Sequence, residues 1–284
     1  MISKSDLKLI KISDLGDTAL APYVSKSEAE LLHYYEPKEG IFIAETANVI
    51  IRALDAGYRP ESILAEEERM EIEAFPVFKK IREINGDDYL NNLPVYITTH
   101  ETLSKITGYN LIRGLCAVMR RKPLKKVEDF LKDKKRVVIL YDVVNPTNSG
   151  AIIRSAAALG MDGVILTSNC VNPLVRRASR VSMGTVFQVP WTVASAEEID
   201  KELKEKNYTT LAMALTENSI APDSEELKGK EKIAVYLGTE GEGLPKNVIE
   251  SSDYRIMIPM MHGVDSLNVA SAAAVICWEL AKKK

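Results

Sequence analysis

Residues 136–160 read RVVILYDVVNPTNSGAIIRSAAALG. The first nine form an almost continuous apolar run, the pattern of a strand buried on both faces in a parallel sheet. The rest predicts a helix over 148–160, with Asn148 or Ser149 as N-cap and Gly160 where a C-terminal glycine stop belongs. Gly150 and Arg154 are i, i+4 neighbours, and a long helical side chain leans back toward the N-terminus. Arg154 would then cross the bare Gly150 and bring its guanidinium near the exposed N–H groups of the first turn, a place suited to a phosphate. On spacing alone, a capped helix whose arginine makes an ion pair is the favoured reading.

Working downstream, GVILTS (163–168) reads as the next strand, followed by an Arg-rich helix near 173–180, a strand around FQVPW (187–191) and a helix over 195–207. Strands in TTLAMAL, IAVYLG and YRIMIP lead to a final helix over 265–281. Strand and helix alternate as in a parallel α/β sheet. Two further loops in this half stand out. YLGTEGEGLP (236–245) runs from a strand into three glycines and a glutamate, where a ligand can approach the backbone closely. It matches neither G-x-G-x-x-G nor a P-loop, and alone it is better read as a plain turn. In RIMIPMMHGVDSLNVASAAAVICWEL (255–280) a strand stops at Pro259, and Asp265 or Ser266 is placed to cap the Ala-rich helix. A capped core helix fits that stretch equally well.

Upstream, KPLKKVEDFLKDKKR (122–136) reads as a charged linker with one short helix. The first half alternates again: strands in IFIAE, SILAEE, PVYIT and GLCAVM, with helices in TANVIIRALDAG and near 76–85 and 100–107. The expected organisation is a small α/β domain over 1–125, a linker over 126–133 and a second α/β domain over 134–284.

The chain has 284 residues, 46% hydrophobic and 27% charged, with a formal net charge of −3, which suits a globular protein and does not advertise nucleic-acid binding. Basic residues nevertheless cluster at Arg120, Arg121 and Lys122, continue through 125–136, and recur at Arg176, Arg177 and Arg180; either cluster suits phosphates or a solvated face. No apolar run reaches the roughly 20 residues of a membrane span, and the start lacks a signal-peptide core, so a cytoplasmic protein is expected. Cys116, Cys170 and Cys277 are dispersed, as are the three histidines, which argues against disulfides and against a metal site.

The three loops, in this order, resemble the SpoU (TrmH-type) family of RNA 2′-O-methyltransferases of the SPOUT superfamily. The match is N-x-G-x-x-x-R as Asn148, Gly150 and Arg154; G-x-E-G-x-G as Gly238, Glu240, Gly241 and Gly243; and I-P-M then S-L-N as Ile258 to Met260 and Ser266 to Asn268. RVSMGTVFQVPW, with Arg180, Ser182 and Gly184, is similar to the segment between the first two motifs. The first half resembles the substrate-binding domain that often precedes this catalytic domain. Departures are Thr239, where many members carry asparagine, and the loop Met261-His262-Gly263.

The resemblance implies a trefoil-knotted α/β domain, a homodimer through the knot region, and S-adenosylmethionine as cofactor, with no metal. It implies that Gly238, Ile258, Met260 and Leu267 line the adenosine pocket, and that Arg154, Asn148, Glu240, Ser266 and Asn268 serve catalysis on a ribose 2′-hydroxyl of rRNA or tRNA. Arg120, Arg121, Arg176, Arg177 and Arg180 are the expected RNA contacts. Two competing readings are a non-catalytic RNA-binding protein on the same scaffold and a nicotinamide-dependent oxidoreductase, the latter resting only on α/β alternation and glycine turns.

Overall fold

The computed structural model describes residues 2–12, 16–107, 114–239 and 241–282. Contacts divide the chain into two compact units, Met1–Pro123 with Leu174–Phe187, and Leu124–Pro173 with Gln188–Lys284. The chain therefore passes between units three times, after Pro123, Pro173 and Phe187. This differs from the expected single boundary near 126–133.

Among the described residues the first unit holds five strands: β1 (Lys8–Lys11), β2 (Ile41–Glu45), β3 (Pro60–Glu66), β4 (Pro94–Thr98) and β5 (Leu115–Arg120), in the order β1-β4-β3-β5-β2. β1, β4 and β3 are parallel, while β5 runs antiparallel to β3 and β2. The expected helices form at Ala47–Asp55, Phe75–Asn85 and His100–Thr107. β1 was not expected: KLIK alternates too briefly and its lysines mark it as an edge.

The Leu174–Phe187 segment completes this unit. It carries the helix Arg176–Val181, and Arg180 Nη1 lies 3.4 Å from Oε2 of the fully buried Glu45. The backbone N–H of Arg176 donates to Glu28 Oε1 at 2.9 Å, and its guanidinium donates to the carbonyls of Pro22 and Tyr23. Arg52 Nη1 donates to the Met183 carbonyl at 2.5 Å. The Phe187 ring packs against Phe42 and Tyr58. No strand forms through FQV: Met183 and Gly184 turn the chain with φ of 56° and 81°, Thr185–Phe187 is a 3-10 turn, and the strand begins only after Pro190.

The second unit contains β6 (Arg136–Leu140), β7 (Gly163–Thr167), β8 (Trp191–Ala194), β9 (Thr209–Met213), β10 (Ile233–Leu237) and β11 (Tyr254–Ile256). Among the described residues these make a six-stranded sheet in the order β11-β9-β10-β6-β7-β8, with every pairing parallel. β6, β7 and β10 are buried at every residue, as continuous apolar runs require. The helix after β6 spans Pro146–Ala158, two residues earlier at its start than expected. Asn145, not Asn148 or Ser149, is the N-cap, its Oδ1 accepting from the N–H groups of Thr147 at 2.8 Å and Asn148 at 3.4 Å. Pro146 in the first turn favours that start, since its ring presets φ and no N–H is lost. Gly160 ends the helix with φ 72°. The last helix runs Val269–Lys282, and Asn268 rather than Asp265 or Ser266 caps it, accepting from Ala270 N at 2.9 Å.

Residues 126–133 are not a free linker. Val127, Phe130 and Leu131 join the second unit's core with Ile139, Ile165, Ile199 and Leu203. The Phe130 ring sits so close to Gly163 that a Cβ there would lie 2.6 Å from its Cζ. Phe130→Ala in the full chain should therefore cost about 3–5 kcal/mol of second-unit stability, the range for deleting a buried aromatic. Urea unfolding followed by tryptophan fluorescence checks this, and an unchanged midpoint would restore the linker assignment.

Candidate functional site

β6 and β10 are neighbours, yet the chain leaves β6 toward β7 and β8 on one side and leaves β10 toward β11 on the other. Such a switch point opens a crevice beyond the carboxyl ends of the strands, where α/β sheets bind ligands. A cleft of about 380 Å³ lies beside it, walled by the ends of β9, β10 and β11, by the loops leaving β10 and β11, and by the start of the last helix. Gly238, Ile258, Met260 and Leu267, the four residues expected at the cofactor, all line it, as does Ser266. Apolar walls come from Leu237, Leu244, Ile256 and Met257. Met213, Ala214 and Leu215 line it too and were missed; they end an ordinary strand with no glycine or polar signature to mark them.

The glycine turn after β10 closes on itself. Thr239 N donates to the Gly243 carbonyl at 3.2 Å, and Gly243 adopts φ 70°. A Cβ on Gly238 would stand 2.3–2.5 Å from backbone atoms of Gly243 and Leu244. Gly238 is thus demanded first by the backbone of its own turn, whatever space a ligand needs. Beside Gly241 and Gly243 a Cβ would meet nothing within 4 Å, so both border open space. Glu240 lies outside the described residues.

The first and third loops meet directly. Asn268 Nδ2 donates to Asn148 Oδ1 at 3.3 Å across 120 residues of sequence. Asn148 is 8% exposed, whereas residues 261–268, including Ser266 and Asn268, are exposed. Two turns along the same helix, Arg154 is exposed, while Gly150 is buried. Arg154 makes no ion pair or hydrogen bond with any described residue.

The five arginines expected at RNA have unequal surroundings. Arg121 is 7% exposed, its Nε donates to the Ile41 carbonyl at 2.9 Å, and it sits over the Phe42 ring. Burial pushes its guanidinium down to about 10. A group so enclosed does not reach a phosphate, which removes Arg121 from the RNA contacts. Arg120 pairs with Glu61 at 2.6 Å and stacks on Tyr35, and Arg176 and Arg180 are held by the contacts already described. Arg177 alone of the five is fully on the surface side of its helix.

Among the described residues no group of histidine, cysteine, aspartate or glutamate is placed to hold a metal, and no helix is long and apolar enough to cross a membrane. Cys116 and Cys277 are buried, with burial pushing the Cys277 thiol up to about 12.

The family model of the SpoU rRNA Methylase family matches residues 135–278. An uncharacterised tRNA/rRNA methyltransferase of Mycobacterium bovis is 33% identical over 243 residues, 85% of this chain and 81% of that protein. The AdoMet-bound rRNA methyltransferase from Sinorhizobium meliloti has a similar structure, with a TM-score of 0.79 at 23% identity over 97% of this chain and 98% of its own. A structure described as an RNA 2′-O ribose methyltransferase gives a TM-score of 0.73 at 23% identity, covering 96% and 99%. At these identities the two structures speak to the fold.

The glycine geometry yields a paired test. Gly238→Ala forces the turn open and should lower the thermal midpoint by several degrees, as a strained substitution costing about 1–3 kcal/mol does. Gly241→Ala should leave the midpoint within about 1 °C, as surface substitutions usually do. Equal midpoints for the two variants, by differential scanning fluorimetry, would mean that Gly238 is not required by its turn.

Proposed function

The chain belongs to the SpoU rRNA methylase family, and from that premise we propose that it transfers a methyl group from S-adenosylmethionine to a ribose 2′-hydroxyl in structured RNA, ribosomal or transfer. The observation that carries this reading is the Asn268–Asn148 hydrogen bond, which ties the helix bearing Arg154 to the end of the loop that walls the cleft. The cleft suits the cofactor: apolar residues from three strand ends accept an adenine, and the open glycine turn offers backbone groups to the ribose and the amino-acid moiety. Bound there, the cofactor supplies an activated methyl on a sulfonium.

The residues of the chain then have distinct work. Gly238, Ile258, Met260 and Leu267 hold the adenosine portion and fix the direction in which the methyl leaves. Asn148 and Asn268, already bonded, set the spacing between cofactor and ribose, and Ser266 lies where a hydroxyl can orient either. Arg154 is exposed, so its role would be to clamp an RNA phosphate with its planar guanidinium and to stabilise charge while the 2′-hydroxyl gives up its proton to water, its oxygen takes the methyl and the carbon–sulfur electron pair returns to sulfur. Glu240 completes the second motif, with the role of orienting Arg154 or Asn148. Alignment of oxygen, methyl and sulfur supplies much of the acceleration.

The first unit serves as the substrate-binding part, with the exposed Arg177 and the less exposed Arg120, Arg176 and Arg180 each contributing to RNA what their protein partners leave. The reading includes the trefoil knot and a homodimer around it; Met261, Val264 and Trp278 present exposed apolar side chains for a second copy.

Arg154→Ala should leave S-adenosylmethionine affinity unchanged by calorimetry yet lower methyl transfer by about 10² or more. Arg154→Lys should recover little, because a point ammonium does not reproduce a bidentate grip. Single-turnover transfer of labelled methyl to RNA, with the 2′-O-methyl nucleoside identified by mass spectrometry, checks both. Near wild-type rates in both variants would make Arg154 structural, and no transfer by the wild-type chain to any RNA would favour a non-catalytic RNA-binding protein.

A further inference from the structure

The chain just beyond β6 is pinned by contacts that belong to none of the three motifs. Asp142 adopts φ 52°, a left-handed conformation that aspartate tolerates better than most residues. Its N–H donates to Thr167 Oγ1 at 2.9 Å, and the same hydroxyl donates back to Asp142 Oδ1 at 2.7 Å. Asn169 Nδ2 approaches Asp142 Oδ2 at 3.4 Å. On either side, Cys170 Sγ donates to the Leu140 carbonyl at 3.2 Å, and Val171 N donates to the Val143 carbonyl at 3.1 Å. The path out of β6 is thus stitched to the path out of β7 at three points, with the Asp142–Thr167 ring of two hydrogen bonds in the middle.

Beyond Val143 this support ends. Val144 is 65% exposed and Asn145 is exposed, and the helix carrying Asn148 and Arg154 starts immediately afterwards. The direction of that helix start is therefore set on one side by the turn at Asp142 and on the other by the Asn268–Asn148 bond. Resting on the proposed methyl-transfer site, we infer that Asp142 and Thr167 are positioning residues for that reaction: their paired hydrogen bonds hold the loop that delivers Asn148 and Arg154 to the ribose. The cleft is walled by residues between 213 and 272 and by none from the stretch 140–171. Loosening Asp142 consequently moves the RNA-facing side of the site and leaves the cofactor side in place. A displacement of about 1 Å in such a constellation is enough to cost about a hundredfold in rate.

The test uses the full chain. Thr167→Val keeps the side-chain shape and removes both hydrogen bonds; Asp142→Ala removes the carboxylate; Asp142→Asn keeps the size, the left-handed tolerance and an Oδ1 acceptor. Single-turnover methyl transfer at saturating S-adenosylmethionine, cofactor affinity by calorimetry and the unfolding midpoint are measured on each, with Arg154→Ala alongside. Thr167→Val and Asp142→Ala should each slow transfer about ten- to hundredfold while cofactor affinity stays within about twofold, and the double variant should be no slower than the slower single one. Asp142→Asn should regain most of the rate, which a loss of general stability would not produce. Transfer within about threefold of wild type in both Thr167→Val and Asp142→Ala, or a parallel loss of cofactor affinity, overturns the inference. A slow Arg154→Ala beside fast Thr167→Val and Asp142→Ala refutes the positioning role alone; wild-type rates in all three refute the site and the positioning role together.

Discussion

Because all six strands of the second sheet run the same way, every loop leaving a carboxyl end emerges at one edge. That single constraint gathers stretches far apart in sequence: the turn after β6, the glycine turn after β10 and the loop after β11. Parallel pairing requires a crossover between strands, and the helices that make these crossovers also bury the sheet faces. The Asn268–Asn148 bond is a product of this arrangement, since the last helix packs along the Pro146–Ala158 helix and brings its cap against the other's first turn. The polar groups gathered at this edge are side chains at helix starts and backbone atoms in turns.

What was legible in the sequence follows from how local the physical signal is. RVVILYDVV and IFIAE announce themselves because a strand buried on both faces needs an unbroken apolar run. The cleft residues Gly238, Ile258, Met260 and Leu267 were legible because their motifs keep order and spacing. The linker assignment failed because Val127, Phe130 and Leu131, an i, i+3, i+4 set, are surrounded by lysines that dominate the composition. The helix starts were misplaced because several polar residues compete as caps, and only the hydrogen bonds at Asn145 and Asn268 distinguish them. Asp142 and Thr167 had no visible signature, because their partnership joins two strand ends 25 residues apart.

Arginine is the residue whose role was least readable. A guanidinium carries the same charge whether it faces solvent, a buried carboxylate or a row of carbonyls. Arg121 serves the Ile41 carbonyl and an aromatic face, and Arg180 sits against Glu45, a carboxylate with no solvent exposure. Removing one partner from such a pair leaves a charge in a low-dielectric setting, which is costly in a way that surface ion pairs are not. The basic clusters of this chain divide between interior and surface: Arg121 and Arg136 are buried, whereas Lys122, Lys125, Lys126, Lys132, Lys135 and Arg177 are exposed.

The Leu174–Phe187 segment also sets a timetable. A chain leaves the ribosome amino end first, and domains generally fold as they emerge. All five strands of the first sheet precede residue 123, so that sheet can pair early. Its Glu28 and Glu45, however, meet Arg176 and Arg180 only across 148 and 135 residues. Contacts of such separation form late, because closing long loops costs entropy before it is repaid. The first unit thus waits to complete its Glu28–Arg176 and Glu45–Arg180 contacts until β6 and β7 of the other unit have been synthesised. In this protein a boundary in space is not a boundary in time.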